Sequence, residues 1–217
     1  MTVDMRMKVQ ADKSKYFTEA YNKMFRFVGY YYQIKLAKMS NPSNILEIGI
    51  GNKIVSSTLI NSGYNVTTLD HNSELKPDYV GDIRELPFDS NSFDTILCFE
   101  VMEHLPFEDF EKILLELHRV SRKFVIISIP YSCAFVELIL DARIPLMEFT
   151  KKISIRIPNL FVQSKDEKSK EHHWEMGRRG YPKRKIKKIL KKYFKIHKSF
   201  HPELNSYHYL FYMEKII

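Results

Sequence analysis

The chain has 217 residues, of which 44% are hydrophobic and only two are cysteines. This length and composition suit one globular domain with a substantial core, and the chain is too apolar to be disordered. Two cysteines cannot build a disulfide framework, no charged and then apolar leader opens the sequence, and the longest apolar stretch, 124–136, is shorter than the roughly 20 residues of a membrane span. We therefore expect a cytoplasmic protein without a transmembrane segment.

The net charge of +8 is concentrated in one stretch. Residues 181–198 hold nine Lys or Arg and no Asp or Glu, whereas the other 199 residues carry 25 basic and 26 acidic groups. Ile186, Ile189, Leu190 and Tyr193 recur at helical spacing within it, which predicts an amphipathic helix with a solvated lysine face. A basic helix also permits contact with a nucleic-acid backbone or an anionic membrane surface, and selects neither.

The predicted elements begin with helix and then alternate between strand and helix. Apolar residues three or four apart predict one or two amphipathic N-terminal helices over 14–40. The elements that follow are a strand at 44–50, a helix at 52–62, strands at 64–70, 78–82 and 92–100, a helix at 106–121 and a strand at 123–130. Apolar strands that alternate with helices favour a parallel sheet covered on both faces.

Residues 131–180 interrupt this alternation. They contain Pro145, Pro158, an apolar stretch that we interpret as helical, and the polar run QSKDEKSKEHH. We expect this segment to be an insertion over the top of the sheet, followed by the basic helix and two closing strands. The chain is thus predicted to be a single α/β domain, residues 1–217.

The stretch NILEIGIGNK places Gly49 and Gly51 in the turn after the first predicted strand. Ligands of open parallel sheets bind beyond the carboxyl ends of the strands, and this turn is the usual contact. Glycine allows a positive φ and lets a ligand approach the main chain. A small ligand on this loop is the functional interpretation, and a tight turn without a ligand is the structural one.

Asp70 ends the second predicted strand, where a carboxylate can accept both hydroxyls of a ribose. A dinucleotide site shares this feature, but its fingerprint requires a third glycine at position 54, which is Ile54 here. This argues against an NAD-dependent oxidoreductase. For Asp70, and for Asp82 after the third strand, a cap or turn role is the structural alternative.

Four ordered motifs between residues 44 and 130, LEIGIG, LD, GDIRELPF and FDTILCFEVMEHL, resemble the class I S-adenosylmethionine-dependent methyltransferases of the type 11-like group. The resemblance implies a Rossmann-like, seven-stranded, mostly parallel sheet with helices on both faces. One departure is Lys53, at a position where the family often has another glycine. The cofactor residues that the resemblance implies are Glu47 for the methionine amino group, Gly49 and Gly51 for its carboxylate and sulfonium, Asp70 with neighbouring His71 for the ribose, Asp82 and the Ile83 backbone for the adenine, and Phe99 with Glu100 for closure of the pocket.

Glu100, Glu103 and His104 lie where the fourth strand ends, and EHHWEMG later supplies His172. Carboxylate and imidazole ligands at this spacing suit Mg²⁺, Mn²⁺ or Zn²⁺. The four residues resemble the Glu-x-x-Glu-His cluster and later histidine of the metal-assisted branch, the small-RNA 2'-O-methyltransferases and quinone-pathway O-methyltransferases, in which a metal lowers the pKa of acceptor hydroxyls. A metal-free role for His104 or His172 as base or substrate contact, and a structural role, are the alternatives.

The expected function is methyl transfer from S-adenosylmethionine to an oxygen of a small-molecule or saccharide-like acceptor. The nucleophile, methyl and sulfur must lie in line, so placement supplies much of the rate, and an alcohol needs a group that removes its proton. RNA bound through the basic helix is the alternative acceptor, and a cofactor-binding protein without transferase activity is a further hypothesis. The insertion 131–180 is interpreted as a lid over the acceptor pocket or, alternatively, as a packing element or dimer surface.

Overall fold

The computed structural model describes residues 13–144, 147–159, 172–205 and 207–216. A single 3-10 turn at Lys13–Phe17 and helix α1 (Met24–Met39) occupy the range predicted for N-terminal helices. The elements after them are β1 (Asn44–Ile48), α2 (Ile54–Asn61), β2 (Asn65–Asp70), β3 (Tyr79–Val80), β4 (Phe93–Phe99), α3 (Phe110–Val120), β5 (Ser121–Pro130), β6 (Cys133–Ile144), β7 (Met147–Pro158), α4 (Lys183–Leu190), β8 (Phe194–Phe200) and β9 (His208–Lys215).

Seven strands form one sheet in the order β3-β2-β1-β4-β5-β9-β8. β1 pairs in parallel with β2 and β4, and β4 pairs in parallel with β5. β9 runs antiparallel to both of its neighbours, β5 and β8. The predicted seven-stranded, mostly parallel, Rossmann-like sheet is confirmed. Because the chain first builds outward from β1 to β3 and then returns to β4, the connections diverge at the carboxyl ends of β1 and β4, where ligands of such sheets bind.

Alternating side chains of the central strands fill two cores, one on each face of the sheet. Leu46 of β1 and Ile96 of β4 point into the core beneath α3 and α4, while Ile45 and Leu97 point into the core beneath α1 and α2. All four side chains are fully buried. This two-sided burial explains why these strands read as continuous apolar runs in the sequence.

The basic stretch 181–198 contains a helix shorter than predicted. α4 buries Ile186 and Leu190 against the sheet and leaves its lysines on the opposite side. The helix ends before Phe194, which begins β8. The amphipathic helix is therefore present, and the remainder of the basic stretch is an edge strand.

The helical interpretation of the apolar stretch after β5 is wrong. Residues 133–144 and 147–158 form two antiparallel strands, β6 and β7, that pair only with each other and lie outside the seven-stranded sheet. The apolar residues of ISIRI, 153–157, alternate with polar ones, and β-branched residues are frequent in both strands, which favours strand over helix. Within the described ranges, no helix is both long and apolar enough to cross a membrane.

Candidate functional site

A cleft opens at the carboxyl ends of β1, β2 and β4, and we call it the main cleft. Its volume out to the open mouth, solvent included, is about 1260 Å³. All the residues that the family resemblance suggests for cofactor binding line this cleft. They are Glu47, Gly49, Gly51, Asp70, His71, Asp82, Ile83, Phe99 and Glu100. His104 lines it as well, whereas Glu103 and His172 lie behind its wall.

The loop after β1 requires glycine at its first position. Gly49 has a φ of +80°, and a Cβ on this residue would lie 2.2 Å from Cγ2 of Val101. No side chain fits there without moving Val101, so both the backbone conformation and the packing demand glycine. Gly51 has a φ of +47°, and a Cβ on it would lie 3.5 Å from the ring of Tyr16.

Lys53 adopts the conformation that explains why a glycine is common at its position in the family. Its φ of 63° and ψ of 13° are left-handed, and α2 begins at the next residue, Ile54. Its Nζ donates to the carbonyl oxygen of Lys76 at 3.0 Å. The loop thus keeps a glycine-like geometry, and the departure from the family pattern does not disrupt the cleft.

Glu47 places a buried carboxyl in the main cleft. The residue is only 3% exposed, and its Oε2 has no hydrogen-bond partner among the described residues. Burial raises the pKa of this carboxyl from 4.5 to about 8. A buried acceptor without a partner is costly unless a ligand supplies a donor, and an ammonium group would satisfy it.

Asp70 ties the glycine loop to the end of β2. The N–H of Ile50 donates to its Oδ2 and the N–H of Asn72 donates to its Oδ1, both at 2.9 Å. Nδ1 of His71 lies 3.2 Å from the same Oδ1. The structural role considered for Asp70 is therefore real, and because each carboxylate oxygen accepts more than one hydrogen bond, ligand hydroxyls still have acceptor sites.

The carboxylate of Asp82 is engaged by Arg84. Nη2 of Arg84 donates to Oδ2 of Asp82 at 2.7 Å, and Nη1 donates to Oδ2 of Asp109 at 3.0 Å. These bonds hold the turn that presents Ile83 to the cleft. Ile83 and Phe99 are at most 8% exposed, so this end of the cleft is apolar and suits a flat aromatic ring.

Five side chains before the sheet, which the sequence analysis above does not assign to the site, also line the main cleft: Tyr16, Tyr21, Arg26, Tyr30 and Gln33. Asn52 of the glycine loop donates its amide group to Oη of Tyr30 and to Oδ1 of Asn22, both at 2.8 Å. The segment before the sheet therefore covers the glycine-loop end of the cleft. The only signal in the sequence was the density of aromatic residues in this region, which also suits ordinary packing.

Glu100 occupies the end of β4 in a strained backbone conformation, with a φ of 54°. Its Oε2 lies 3.2 Å from Nε2 of His208, and its Oε1 is buried without a hydrogen-bond partner in the described parts of the chain. Left-handed backbone at a residue other than glycine is found preferentially at functional sites. Glu100 thus brings a buried hydrogen-bond acceptor without a partner to a position that borders the main cleft.

His208 is the site residue that the sequence analysis missed. It is 4% exposed, lines the main cleft and begins β9. The amide of Asn205 donates from Nδ2 to the carbonyl oxygen of Phe25 at 2.8 Å and accepts the N–H of His208 on Oδ1 at 3.1 Å. This fixes Nδ2 toward Nδ1 of His208, 3.1 Å away, so Nδ1 accepts and Nε2 carries the proton directed at Glu100.

Glu103, His104 and His172 form a second cluster behind the main cleft. One ligand atom from each lies within 4.8 Å of the other two. Glu103 is fully buried, neither of its oxygens has a hydrogen-bond partner among the described residues, and burial raises its pKa. Its Oε1 lies 4.0 Å from Nε2 of His172. His172 is oriented by Glu175, whose Oε1 lies 2.9 Å from Nδ1. The four-residue set suggested by the resemblance therefore divides, because Glu100 pairs with His208 instead.

Trp174 lies in the core next to this cluster. It is fully buried, donates from Nε1 to the carbonyl oxygen of Met102 at 3.2 Å, and packs edge-on against Phe107 and Phe110. It is a packing residue and has no face free for a sugar or base. Beside it, a smaller hollow opens at the root of β6, lined by Tyr131, Ser132, Cys133, Phe135, Glu175, Arg178 and Tyr207.

Comparison with known proteins places this geometry in context. Residues 46–128 match the family model of a methyltransferase domain. None of the curated proteins compared with the sequence matches it. Many solved structures of methyltransferases share the fold, and the matched segment runs from within β1 into β5 and includes most of the main-cleft residues.

Three of those structures illustrate the likeness. The N-methyltransferase NodS from Bradyrhizobium japonicum WM9, in complex with S-adenosyl-l-homocysteine, is 11% identical with a TM-score of 0.60, over 94% of this chain and 96% of that chain. Magnesium protoporphyrin IX methyltransferase from Synechocystis PCC 6803 with bound SAM is 16% identical with a TM-score of 0.54, over 88% and 79%. The 1,6-didemethyltoxoflavin-N1-methyltransferase of Burkholderia thailandensis is 12% identical with a TM-score of 0.55, over 99% and 94%.

Proposed function

We propose that the protein is an S-adenosylmethionine-dependent methyltransferase, since residues 46–128 match the family model of a methyltransferase domain, and that it methylates a hydroxyl oxygen of a small-molecule or saccharide-like acceptor. The observation that carries this proposal is the unpaired Oε1 of Glu100, buried in the main cleft and oriented by His208. N-methylation of a neutral amine does not need such a base, whereas an alcohol does.

The main cleft supports S-adenosylmethionine as the methyl donor. Glu47 offers a buried, unpaired carboxyl to the ammonium of the methionine moiety. Gly49 and Gly51 leave the main chain open to the carboxylate, Asp70 and His71 adjoin the ribose hydroxyls, and Ile83 and Phe99 enclose the adenine. Several proteins of the same fold hold this cofactor or its demethylated product, S-adenosyl-l-homocysteine.

The proposed chemistry is a single displacement. The acceptor oxygen attacks the methyl carbon, the carbon–sulfur bond breaks with its electron pair remaining on sulfur, and Oε1 of Glu100 takes the hydroxyl proton. Nε2 of His208 lies 3.2 Å from Oε2 of Glu100, and in this proposal the ring keeps the carboxylate aligned. The products are a methyl ether, the demethylated cofactor and one proton.

The proposed acceptor side of the single domain is the insertion 131–180. The smaller hollow at its root carries Glu175, Arg178 and Tyr207, polar side chains that suit a hydroxylated acceptor. Tyr207 precedes His208 in the chain, so the hollow and the main cleft meet at this pair. Among the described residues, none of 131–159 lines the main cleft, so any lid function acts from the side of the hollow.

A second candidate, metal-assisted 2'-O-methylation of RNA, is favoured by the Glu103, His104 and His172 cluster. One carboxylate and two imidazoles suit Zn²⁺ or Mn²⁺, and the unpartnered oxygens of Glu103 fit a cation. A bound metal would supply Lewis-acid activation of a hydroxyl. Calorimetry with Zn²⁺ tests this candidate: binding that Glu103→Gln abolishes, without a change in cofactor affinity, supports it.

The principal test is an acceptor screen with methyl-labelled S-adenosylmethionine. We expect Glu100→Gln to lower kcat by about 100-fold or more with an unchanged Kd for the cofactor, because the base is lost and the cofactor contacts are not. Glu103→Gln is the matched control and keeps its kcat if no metal takes part. Full activity of Glu100→Gln contradicts the proposal, and cofactor binding without any methylated product indicates a cofactor-binding protein instead.

A further inference from the structure

The hairpin formed by β6 and β7 carries its apolar face on the outside. In an antiparallel pair, directly opposed residues point to the same side, and the register pairs Val136 with Ile155 and Leu138 with Ile153. The described members of this face are Ala134, Val136, Leu138, Leu140, Ala142, Phe149, Lys151, Ile153, Ile155 and Ile157. We call it the hairpin face, and Lys151 is its one charged member within the described side chains.

Exposure shows that the hairpin face is open. Val136 is 70% exposed, Ile155 is 61% exposed and Ile157 is 65% exposed. Seven large apolar side chains of this face exceed 40% exposure, and the strand register makes them neighbours on one side of the hairpin. A patch of this kind marks an interaction surface.

The opposite, more polar face of the hairpin is turned toward the body of the protein. Nη2 of Arg156 donates to Oε1 of Glu137 at 3.0 Å, and the backbone N–H of Leu204 donates to Oε2 of the same Glu137 at 3.2 Å. Both charged side chains are less than one-fifth exposed. The hairpin thus contacts the rest of the protein through its polar side. A surface sheet normally packs its apolar side on the core and exposes its polar side.

We propose that the hairpin face docks on the surface of an anionic lipid membrane. Burial of its apolar side chains at the acyl boundary supplies the affinity, and Lys151 reaches the phosphate layer. A second copy of the chain fits less well, because it would bury Lys151 against aliphatic side chains, and the described side chains of the face include no carboxylate to pair with it.

The basic stretch 181–198 adds the charge that such docking needs. It begins at the root of the hairpin, where Nζ of Lys183 lies 6.0 Å from the ring centre of Tyr131, two residues before β6. Its nine Lys or Arg attract anionic headgroups over a Debye length, and apolar burial with basic charge is the pair of signals that stable surface attachment requires. The surface does not depend on the proposed methyl transfer.

The test is flotation of the full chain with two kinds of vesicle, phosphatidylcholine alone and phosphatidylcholine mixed with phosphatidylglycerol. We expect co-flotation with the mixed vesicles, weakened by salt. The double variant Val136→Thr with Ile155→Thr keeps strand-forming residues and should lower partitioning about tenfold or more, since each replaces apolar contact with a hydroxyl. Lys151→Glu should weaken binding to the mixed vesicles.

The matched control is Ile60→Thr with Leu115→Thr, which removes apolar groups that are 51% exposed on α2 and α3. This control should float like the wild type. The proposal is overturned if the wild-type protein does not float with the mixed vesicles. It is also overturned if the Val136→Thr, Ile155→Thr variant floats as well as the wild type. A dimer on gel filtration that the hairpin variant dissociates also overturns it, because the face is then covered by a second copy.

Discussion

Glu100 and His208 meet across the sheet with 3.2 Å between Oε2 and Nε2, although β5 lies between the strands that carry them. Asn205 fixes the tautomer of His208 from the other side. Burial lowers the pKa of His208, which keeps its ring neutral in spite of the nearby carboxylate. A neutral donor that orients a carboxylate leaves the carboxylate free to accept the proton of a substrate.

If His208 acts as a hydrogen-bond donor, two substitutions at this position should lower kcat to different extents. His208→Leu removes the Nε2–H and should lower kcat by about tenfold or more, because a misaligned base loses part of its catalytic contribution. His208→Gln keeps an N–H donor near the same place and should recover part of the rate. The Kd for S-adenosylmethionine should be unchanged in both. Equal losses in the two variants would indicate a packing role instead.

Glu47 predicts that stability without cofactor depends on pH. Its folded pKa of about 8 exceeds the unfolded value of 4.5, so its contribution is fully present below pH 4.5, falls as pH rises, and is lost above pH 8. Glu47→Gln stays neutral, and its Tm advantage over the wild type should grow from pH 5 to about 9. The same variant should bind S-adenosylmethionine more weakly, since the ammonium loses its counter-charge.

Glu116 provides a control for this experiment, because its pKa is shifted in the opposite direction. The hydrogen bond from Arg119 lowers the pKa of Glu116, so this carboxylate stabilises the folded protein above its unfolded pKa and loses that contribution in acid. Glu116→Gln should therefore lower Tm near neutral pH and approach the wild type in acid. A Tm difference for Glu47→Gln that does not change with pH would show that the carboxyl is already ionised at neutral pH.

Alanine variants of Gly49 and Gly63 distinguish the cost of backbone strain from the cost of a steric clash. Both have a positive φ, +80° and +87°, but a Cβ meets Val101 at the first position and nothing within 4 Å at the second. Gly63→Ala should cost about 1–2 kcal/mol of unfolding free energy from strain alone. Gly49→Ala should cost at least twice as much and abolish cofactor binding. Adding Val101→Ala should recover part of the stability; no recovery would place the cost in the backbone.

Asp70 and Asp78 offer a matched pair for calorimetry. Each carboxylate accepts a backbone N–H beside β2, Asp70 from Ile50 and Asp78 from Thr68. Loss of either side chain leaves buried donors without partners, so Asp70→Ala and Asp78→Ala should lower Tm by similar amounts. Only Asp70→Ala should lose S-adenosylmethionine affinity, by about 100-fold. Wild-type affinity in Asp70→Ala would restrict this residue to its turn role.

The sheet and the convergence of Glu47, Gly49 and Asp70 on one cleft were predictable because their signals are local. Each strand is a short apolar run, and these residues lie at or just after the carboxyl ends of β1 and β2, which a parallel sheet brings together. The tertiary contacts were not predictable in this way. His208 is one of eight histidines, and only the insertion of β9 beside β5 reveals its place next to Glu100.

The hairpin illustrates a different limit. Its strands are apolar enough to suggest a buried helix, and the period of two is plain only in 153–157. Whether this stretch forms helix or strand depends on the pairing of β6 with β7, and most of the paired residues are far apart in the sequence. A short sequence window that contains one partner therefore does not contain the other. The direction of its apolar face depended in turn on Glu137 and Arg156, whose contacts are tertiary.

The position of β9 has a consequence for biosynthesis. β9 follows β8 in the chain but lies between β5 and β8 in the sheet, so β8 cannot join the sheet before β9 has been made and has paired with β5. Until β9 emerges, the edge of β5 is unpaired and prone to aggregation, and Glu100 has no histidine beside it. The pairing of β9 with β5 is therefore the step that closes this gap in the sheet and also brings His208 to Glu100.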